Sequence, residues 1–182
     1  MNKKRNRIIF SVIVAVVVFI VCLSIFKIRS VENYHDVDSP LWESGPGAEL
    51  VIDCSAAVDN WELLDEALKD EKYVPQSGYI LEPTKLTIQE GDTAYDLLVR
   101  AARYYEIPLD AVGAEESPFG SAYIKGINNL YENSCGDMSG WMFTVNGEYP
   151  DTGCDSYVVQ DGDVISFEYS VWSDGGEEEE AA

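Results

Sequence analysis

Alternating apolar and polar positions predict a group of β-strands near the C-terminal end of the chain. Residues 141–145 read as a strand, and Asn146 and Gly147 follow as the pair best suited to the positive φ angles of a type I′ turn. In residues 164–169, strongly apolar side chains alternate with mostly polar ones, which is typical of a strand with one buried face. Residues 139–169 are therefore expected to form the β core of a small domain.

Two earlier segments have the spacing of an amphipathic helix. The clearer one covers residues 93–105, where apolar residues recur three or four positions apart and Thr93 and Asp96 fit a capping box. A less regular pattern over residues 57–69 predicts a second helix. The apolar stripe of each helix must be buried against a sheet.

Further strand signals complete the predicted domain. Residues 49–54 and 84–89 read as strands, and residues 121–132 have strand-like ends around a pair of asparagines that could turn. The order is strand, helix, strand, helix and then a run of strands. This order predicts an α+β domain over residues 48–172, with one sheet and with helices mainly on one face.

The chain begins with a pattern typical of a membrane anchor. Basic residues precede an apolar run that begins at Ile8 and ends at Phe26 and contains no charge. At about 1.5 Å per residue, this run is long enough to cross a bilayer as a helix. A cleaved signal peptide is the alternative, but its apolar core is usually shorter, and no A-x-A cleavage pattern follows here. We therefore favour an uncleaved signal anchor that crosses the cell membrane once.

The distribution of charge predicts the orientation of the chain. The basic bias puts the N-terminus in the cytoplasm and the C-terminal domain in the extracytoplasmic space. Residues 1–29 are thus expected to be a cytoplasmic segment with the anchor, residues 30–47 a stalk, and residues 173–182 a disordered acidic tail. All 33 acidic residues lie after residue 30 with only six basic ones, which excludes nucleic acid as a partner.

Catalysis is not expected of the domain. The chain's one histidine, His35, lies in the predicted stalk, which excludes Cys–His and Ser–His–Asp nucleophiles from the folded part. No glycine-rich phosphate loop occurs, and no pair of carboxylates stands out for glycoside hydrolysis. Asp161, Gly162 and Asp163 lack the spacing of an EF-hand loop, so they are interpreted as a turn and no metal site is predicted.

Three cysteines lie in the predicted outer part: Cys54, Cys135 and Cys154. A disulfide is permitted there, and the odd number leaves at least one thiol free or bonded to another molecule. A bond between Cys135 and Cys154 would flank the hairpin and stabilise the fold by about 3 kcal/mol in the chain-entropy model. We favour that pair, with Cys54 as a buried free thiol. A bond from Cys54 to either of the others is the alternative.

Several motifs resemble those of one known family. They are residues 123–132 (YIKGINNLYE), Cys135 with the glycine after it, residues 139–147 (SGWMFTVNG) and residues 162–164 (GDV). The family consists of uncharacterised bacterial extracytoplasmic domains and is described as transcobalamin-like, because it looks like the C-terminal domain of animal cobalamin carriers. The resemblance covers residues 49–170, which is nearly all of the predicted domain.

The resemblance implies a β-grasp-like fold, in which one main helix crosses a mixed sheet. It also implies binding of cobalamin, a related corrinoid or another flat ligand. In the animal carriers this small domain closes over a cobalamin that a larger helical barrel holds from the other side, so a partner would supply the second half of such a site. The first hypothesis is a membrane-anchored extracytoplasmic ligand-binding domain that passes a corrinoid to an uptake system with a membrane transporter. The alternative is a cell-surface protein-interaction or adhesion module without a small ligand.

The candidate ligand-binding residues are aromatic or polar and lie within the motifs. They are Tyr123, Asn128, Tyr131, Ser139 and Trp141. Aromatic faces suit a flat ligand, and an asparagine amide could bond the amide groups of a corrin. The structural alternative is that Trp141 is a core residue paired across the strands and that Asn128 belongs to a turn between aromatic neighbours.

Overall fold

The computed structural model describes residues 39–172, which form a mixed α+β domain as predicted. The strands are β1 Gly47–Asp53, β2 Tyr79–Thr87, β3 Leu109–Val112, β4 Tyr123–Ile127, β5 Leu130–Tyr131, β6 Ser139–Val145 and β7 Val164–Val171. The helices are α1 Ser55–Asp59 and α2 Ala94–Tyr104, with a 3-10 turn at Glu66–Leu68. The predicted anchor and acidic tail lie outside the described residues, as does the first half of the predicted stalk. None of the helices between residues 39 and 172 has the length and apolar character needed to cross a bilayer.

The main sheet has four strands in the order β2-β1-β7-β6. The central strands β1 and β7 are parallel and the outer pairs are antiparallel, so the sheet is mixed. One face is apolar because side chains alternate along each strand. Leu50 and Ile52 of β1 and Ile165 and Phe167 of β7 are at most 1% exposed. This face forms the centre of the core.

Helix α2 confirms the clearer of the two helix predictions. The Thr93 hydroxyl accepts from the Asp96 N–H, and the Asp96 carboxylate accepts from the Thr93 N–H, so the capping box is complete. Leu97, Leu98 and Ala101 are fully buried and belong to the same core as the apolar sheet face. The predicted stripe is therefore the side of the helix that packs.

A second sheet, in the order β3-β4-β5, corrects the prediction of a single sheet. Strand β4 pairs with β3, and with β5 across a turn at Asn128 and Asn129, whose φ angles are 53° and 65°. Both edges of β4 are thus occupied by strands close to it in sequence, so neither is left for the main sheet. The Trp141 indole of β6 donates to the Leu130 carbonyl of β5 at 2.8 Å and links the two sheets.

The helix predicted over residues 57–69 is present only in part, as the end of α1 and the 3-10 turn at Glu66–Leu68. Where α1 ends, the Asn60 side-chain amide donates back to the Ala56 carbonyl at 2.8 Å. Further along, the Asp65 N–H donates to the Ser134 carbonyl at 2.9 Å, which is a bond to a distant part of the chain. A local side-chain bond and a tertiary bond therefore replace the helical ladder.

The end of the predicted stalk packs on the domain. Residues 40–42 lie along the outer edge of β2, where the Thr87 N–H donates to the Pro40 carbonyl at 2.7 Å and the Trp42 N–H to the Lys85 carbonyl at 3.1 Å. The Lys85 ammonium lies 3.8 Å from the centroid of the Trp42 ring. The segment therefore covers part of a sheet edge that would otherwise present unpaired backbone groups.

The three cysteines between residues 39 and 172 are all buried free thiols, so the predicted bond between Cys135 and Cys154 is absent. Cys135 lies in the turn before β6, where its N–H donates to the Ser139 hydroxyl. Cys154 lies beside the start of β4, with its sulfur 3.9 Å from the Ala122 carbonyl oxygen. Burial raises the pKa of Cys54 to about 12 and the pKa values of Cys135 and Cys154 to about 11. All three thiols are therefore protonated at neutral pH.

Candidate functional site

An open cavity of about 430 Å³ lies beside strand β6, between the main sheet and the segment that leads into β4. This volume is within the range of small-molecule sites. Its walls come mainly from residues 119–124, 141–143 and 149–154. Six of the lining side chains are aromatic: Phe119, Tyr123, Trp141, Phe143, Tyr149 and Phe167.

Trp141 is held rigidly at the inner wall of the cavity. It is 7% exposed, its indole N–H donates to the Leu130 carbonyl, and its ring meets the edge of the Tyr169 ring at a centroid distance of 5.3 Å. Tyr169 lies directly opposite it on β7. The interpretation of Trp141 as a core residue is therefore confirmed, and the same side chain also lines the cavity.

Met142 and Phe143 complete the wall that β6 contributes. Phe143 stacks on Phe167 at a centroid distance of 5.9 Å, whereas Met142 is 42% exposed. Consecutive residues of a strand point to opposite faces of the sheet. Since Trp141, Met142 and Phe143 nevertheless all line the cavity, the cavity wraps around the outer edge of β6.

The opposite wall contains Tyr123 and Phe119, whose ring centroids lie 5.2 Å apart. The Tyr123 hydroxyl donates to the Glu132 carboxylate. This hydrogen bond raises the pKa of Tyr123 to about 12, with further contributions from burial and from the negative charge of Glu132. Tyr123 therefore presents to the cavity a ring whose polar atom is already paired.

Loop 149–154 closes the third side and is fastened at its C-terminal end. The Tyr95 N–H of α2 donates to the Cys154 carbonyl at 2.9 Å. Gly153 lies so close to Ser121 that a Cβ at this glycine would be 2.3 Å from the Cβ of Ser121. Only a glycine fits there without a shift of the backbone. Tyr149, at the other end of the loop, is 62% exposed.

Three of the five residues predicted as ligand contacts lie outside this cavity. The Asn128 side-chain amide donates to two carbonyl oxygens of residues 72–73. Ser139 is 5% exposed, and its hydroxyl is bonded within the turn that precedes β6. The ring of Tyr131 covers Gly126, where an added Cβ would approach it to 2.7 Å. Among the predicted residues, only Tyr123 and Trp141 reach the cavity.

Sequence reasoning singled out two of the thirteen lining residues as ligand contacts. The missed residues include Phe119, Met142, Phe143 and Tyr149. Phe119 and Tyr149 lie next to prolines in loops, and an aromatic residue beside a proline outside any periodic pattern is the sequence signal that could have found them. Both are largely exposed in the structure. Met142 and Phe143 lie inside a strand motif, where packing alone accounts for apolar residues.

The turn at residues 161–163 uses its carboxylates for the fold. The Asp163 carboxylate accepts from the Gln160 N–H, the Asn146 amide and the Tyr157 hydroxyl. Burial raises the pKa of Asp163, but these hydrogen bonds outweigh burial and hold the pKa below its usual value. Within residues 39–172, no group of three or more His, Cys, Asp or Glu side chains is arranged to hold a metal ion.

The chemistry of the cavity is that of an apolar binding surface. Its ionisable lining groups are Tyr123, Tyr149 and Cys154. Burial keeps the Cys154 thiol protonated, because it raises the pKa to about 11. Such a lining binds through shape and apolar contact, and it offers a broad aromatic surface.

Comparison with known families gives one partial match. Residues 91–171 match the family model described as "Domain of unknown function (DUF4430)". The match covers fewer than half of the 182 residues but includes every residue that lines the cavity. No protein with a curated description matches the sequence.

Two solved structures are distantly similar to this chain. One is haptocorrin in complex with Cbi, with 15% sequence identity and a TM-score of 0.45; the alignment covers 72% of this chain and 27% of the haptocorrin chain. The other is a protein from Ruminococcus gnavus ATCC 29149 whose name proposes metal binding, with 11% identity and a TM-score of 0.40; the alignment covers 71% of this chain and 100% of that one. Both likenesses are distant, so the case for a function rests on the residues of the cavity.

Proposed function

We propose that this chain is a membrane-anchored, extracytoplasmic domain that binds a ligand with a flat apolar surface in the aromatic cavity. The observation that carries the proposal is the cavity of about 430 Å³ with six aromatic lining residues. No catalytic role is proposed, because the lining lacks an ionised acid, base or nucleophile near neutral pH.

The state of the aromatic side chains supports binding rather than packing alone. The polar atoms of Trp141 and Tyr123 are bonded to protein groups, so ligand binding would not leave them unpaired. Phe119 and Tyr149 are 68% and 62% exposed at the rim. Large exposed aromatic residues around one concavity are unusual on a monomer and mark an interaction site. A ligand that covers them gains apolar burial without first displacing a protein contact.

A corrinoid is the ligand that we favour. The support is the resemblance of the motifs in residues 123–164 to transcobalamin-like domains. A corrin is broad and nearly flat, and a one-sided aromatic surface would cover one part of it while a partner covers the rest. The apolar run that begins at Ile8 would hold the domain at the membrane, beside a transporter that takes up the ligand.

Calorimetric titration of the full-length chain, purified in a non-ionic detergent, tests this function. Cyanocobalamin and cobinamide are the two ligands, since they share the corrin ring. Phe119→Ala removes an exposed rim contact and should weaken binding by about 1–2 kcal/mol, which is roughly a 5- to 30-fold rise in Kd. Trp172→Ala is the matched control, because Trp172 is 63% exposed and does not line the cavity.

The two variants distinguish binding in the cavity from non-specific binding to exposed aromatic residues. We expect the Kd of Trp172→Ala to equal that of the unmodified chain, and the unfolding midpoints of both variants to be unchanged. Absence of heat with both corrinoids at about 1 mM would refute corrinoid binding. An equal loss of affinity in the two variants would show that the cavity is not the site.

A further inference from the structure

Strand β6 has an outer edge whose backbone groups can be assigned from the register. The Asn146 N–H donates to the Val164 carbonyl at 2.8 Å, which marks this antiparallel pair as hydrogen-bonded. Hydrogen-bonded pairs alternate along an antiparallel ladder. Since Val145 pairs with Ile165 and Trp141 with Tyr169, these positions are non-hydrogen-bonded, and their β6 backbone groups point away from β7.

The parallel side of β7 gives the same assignment. The Glu49 N–H of β1 donates to the Asp163 carbonyl at 2.8 Å, at the start of β7. Every second residue of a strand directs its backbone groups to the same neighbouring strand. Since Asp163 faces β1, the backbone groups of Ile165, Phe167 and Tyr169 also point toward β1. The backbone groups of β7 that face β6 therefore belong to Ser166, Glu168 and Ser170, which agrees with the antiparallel register.

The two ends of the outer β6 edge are already paired. Val145 exchanges both of its backbone hydrogen bonds with Glu148, at 2.9 and 3.0 Å. Ser139 donates to the Gly136 carbonyl and accepts from the Asn133 N–H. Between these ends lie the N–H and C=O groups of Trp141 and Phe143, which have no backbone partner among residues 39–172. The open edge is therefore a window of two donors and two acceptors.

The window opens on the aromatic cavity. The side chains of Trp141, Met142 and Phe143 alternate between faces of the sheet and still line one cavity, which is the geometry of a cavity at a strand edge. Unpaired edge groups next to apolar surface are the features that an added strand uses. Backbone bonds supply the affinity in such pairing, and a neighbouring pocket selects the side chain.

We propose that the outer edge of β6 binds an extended peptide segment of a partner protein as an additional antiparallel strand. Three peptide residues would form four backbone hydrogen bonds with Trp141 and Phe143. An aromatic or aliphatic side chain of the peptide would enter the cavity between β6 and loop 149–154. The proposal goes beyond small-ligand binding and does not depend on it, because backbone groups carry it.

The charge of the domain specifies which peptide fits. Residues 39–172 contain six Lys and Arg residues against 25 Asp and Glu residues. Three carboxylates lie at the cavity or the β6 strand: Glu132 accepts from the Tyr123 hydroxyl, Asp155 accepts from the N–H of Ala122, and Glu168 pairs across from Met142. Like charge disfavours a second copy of this chain and its own acidic residues 173–182 as the added strand. The occupant is therefore a segment with Lys or Arg on both sides of an apolar residue.

A synthetic peptide tests this inference with the full-length chain. The probe is the acetylated and amidated heptapeptide Lys-Lys-Val-Phe-Val-Lys-Lys. Its two control peptides have glutamate in place of lysine, or N-methyl groups on the three central residues, which remove at least one of the two peptide donors that would face β6 in either register. We expect the basic peptide to slow amide hydrogen exchange at Trp141 and Phe143, and both control peptides to bind at least tenfold more weakly.

Matched variants place the peptide on this edge. Met142→Lys adds a positive charge at the centre of the edge, and Lys on an edge strand opposes strand addition. Val164→Lys is the control, because Val164 is 37% exposed against 42% for Met142 and does not line the cavity. We expect Met142→Lys to weaken peptide binding at least tenfold and Val164→Lys to leave it within twofold. Urea unfolding of both variants should show unchanged midpoints.

Three results would overturn the inference. The first is no binding of the basic peptide at about 1 mM. The second is equal binding of the N-methylated peptide, which would show that no backbone pairing occurs. The third is protection of the Trp141 and Phe143 amides when the protein alone is concentrated, which would assign the edge to a second copy of the chain. Corrinoid titration is run on separate samples, because both ligands would reach the cavity that Trp141 and Phe143 line. Failure of the corrinoid to bind would leave the peptide-dependent protection of the two amides as a separate result.

Discussion

Replacement of Gly153 by alanine tests whether loop 149–154 and the start of β4 fit together as closely as the structure shows. A Cβ at residue 153 would lie 2.3 Å from the Cβ of Ser121 and 2.7 Å from its hydroxyl oxygen. Carbon atoms in contact are normally about 3.5–4.0 Å apart. Gly153 does not have a positive φ angle, so the substitution introduces a steric conflict without backbone strain.

The expected cost follows from what must move. The two backbones have to separate by about 1–1.5 Å to restore a normal contact. The loop cannot move freely, because the Cys154 carbonyl accepts from the Tyr95 N–H at 2.9 Å and the Asp155 carboxylate accepts from the N–H of Ala122 at 2.8 Å. Overpacking of this kind typically costs 1–3 kcal/mol, so we expect Gly153→Ala to lower the free energy of unfolding by about 2 kcal/mol.

Urea unfolding followed by far-UV circular dichroism measures this change. Gly113→Ala is the matched control, because a Cβ at Gly113 meets nothing within 4 Å and its φ angle is not positive. Alanine there should be neutral or stabilise by up to about 1 kcal/mol, since it restricts the unfolded chain. Ser121→Gly removes the two nearest of the three atoms in conflict and leaves the Asp155 carboxylate oxygen at 2.9 Å, so the double variant should recover most of the stability that Gly153→Ala loses.

The recovery is the decisive measurement. If Gly153→Ala is as stable as Gly113→Ala, the loop and the start of β4 are not in close contact. If Ser121→Gly does not restore stability in the double variant, the conflict lies elsewhere than at Ser121. Either result would show that loop 149–154 does not pack against the start of β4 as described, and that this wall of the cavity has a different position.

Two further outcomes concern the carboxylate turn and the thiols. Asp163→Asn should lower the free energy of unfolding by about 1.5–3 kcal/mol near pH 7, because charge-assisted hydrogen bonds are lost. The pKa of Asp163 is lower in the folded state than its unfolded value of about 3.9. The carboxylate therefore stabilises the fold above about pH 3.9, and this stabilisation is lost as the pH falls through the folded pKa. The stability of Asp163→Asn should depend less on pH in that acidic range. A thiol reagent at pH 8 should not react with Cys54, Cys135 or Cys154 until guanidinium unfolds the chain, and a denatured count two thiols short would show that a disulfide forms.

The elements that the sequence predicted well are those with local causes. The capping box of Thr93 and Asp96 and the apolar spacing after it specify α2 within a dozen residues. The turn at Asn146 and Gly147 has positive φ angles at both residues, as the pair indicated. Strand β7 follows from strict alternation. Each of these signals is contained in a short window and does not depend on the rest of the chain.

The errors arose where distant segments decide the structure. The pattern over residues 57–69 is helical in spacing, but bonds from Asn60 and to Ser134 divide it. Strands β3, β4 and β5 satisfy one another and form their own sheet, which alternation alone cannot reveal. The sequence spacing likewise favoured a Cys135–Cys154 disulfide. The fold instead buries Cys135 in the turn before β6 and Cys154 beside the start of β4, and both are free thiols.

The candidate site was harder to predict because its residues have two different origins. Trp141 belongs to a strand motif and is fixed by the core, so its part in the cavity is a consequence of the fold. Phe119 and Tyr149 lie in loops without a hydrophobic period, and only the assembled domain brings them to the same rim. Substitution of the rim residues should therefore change affinity with little change in stability, whereas substitution of Trp141 should change both. Under the proposed function, ligand preference would be set mainly by loop residues, because these can vary without disturbing the core that positions them.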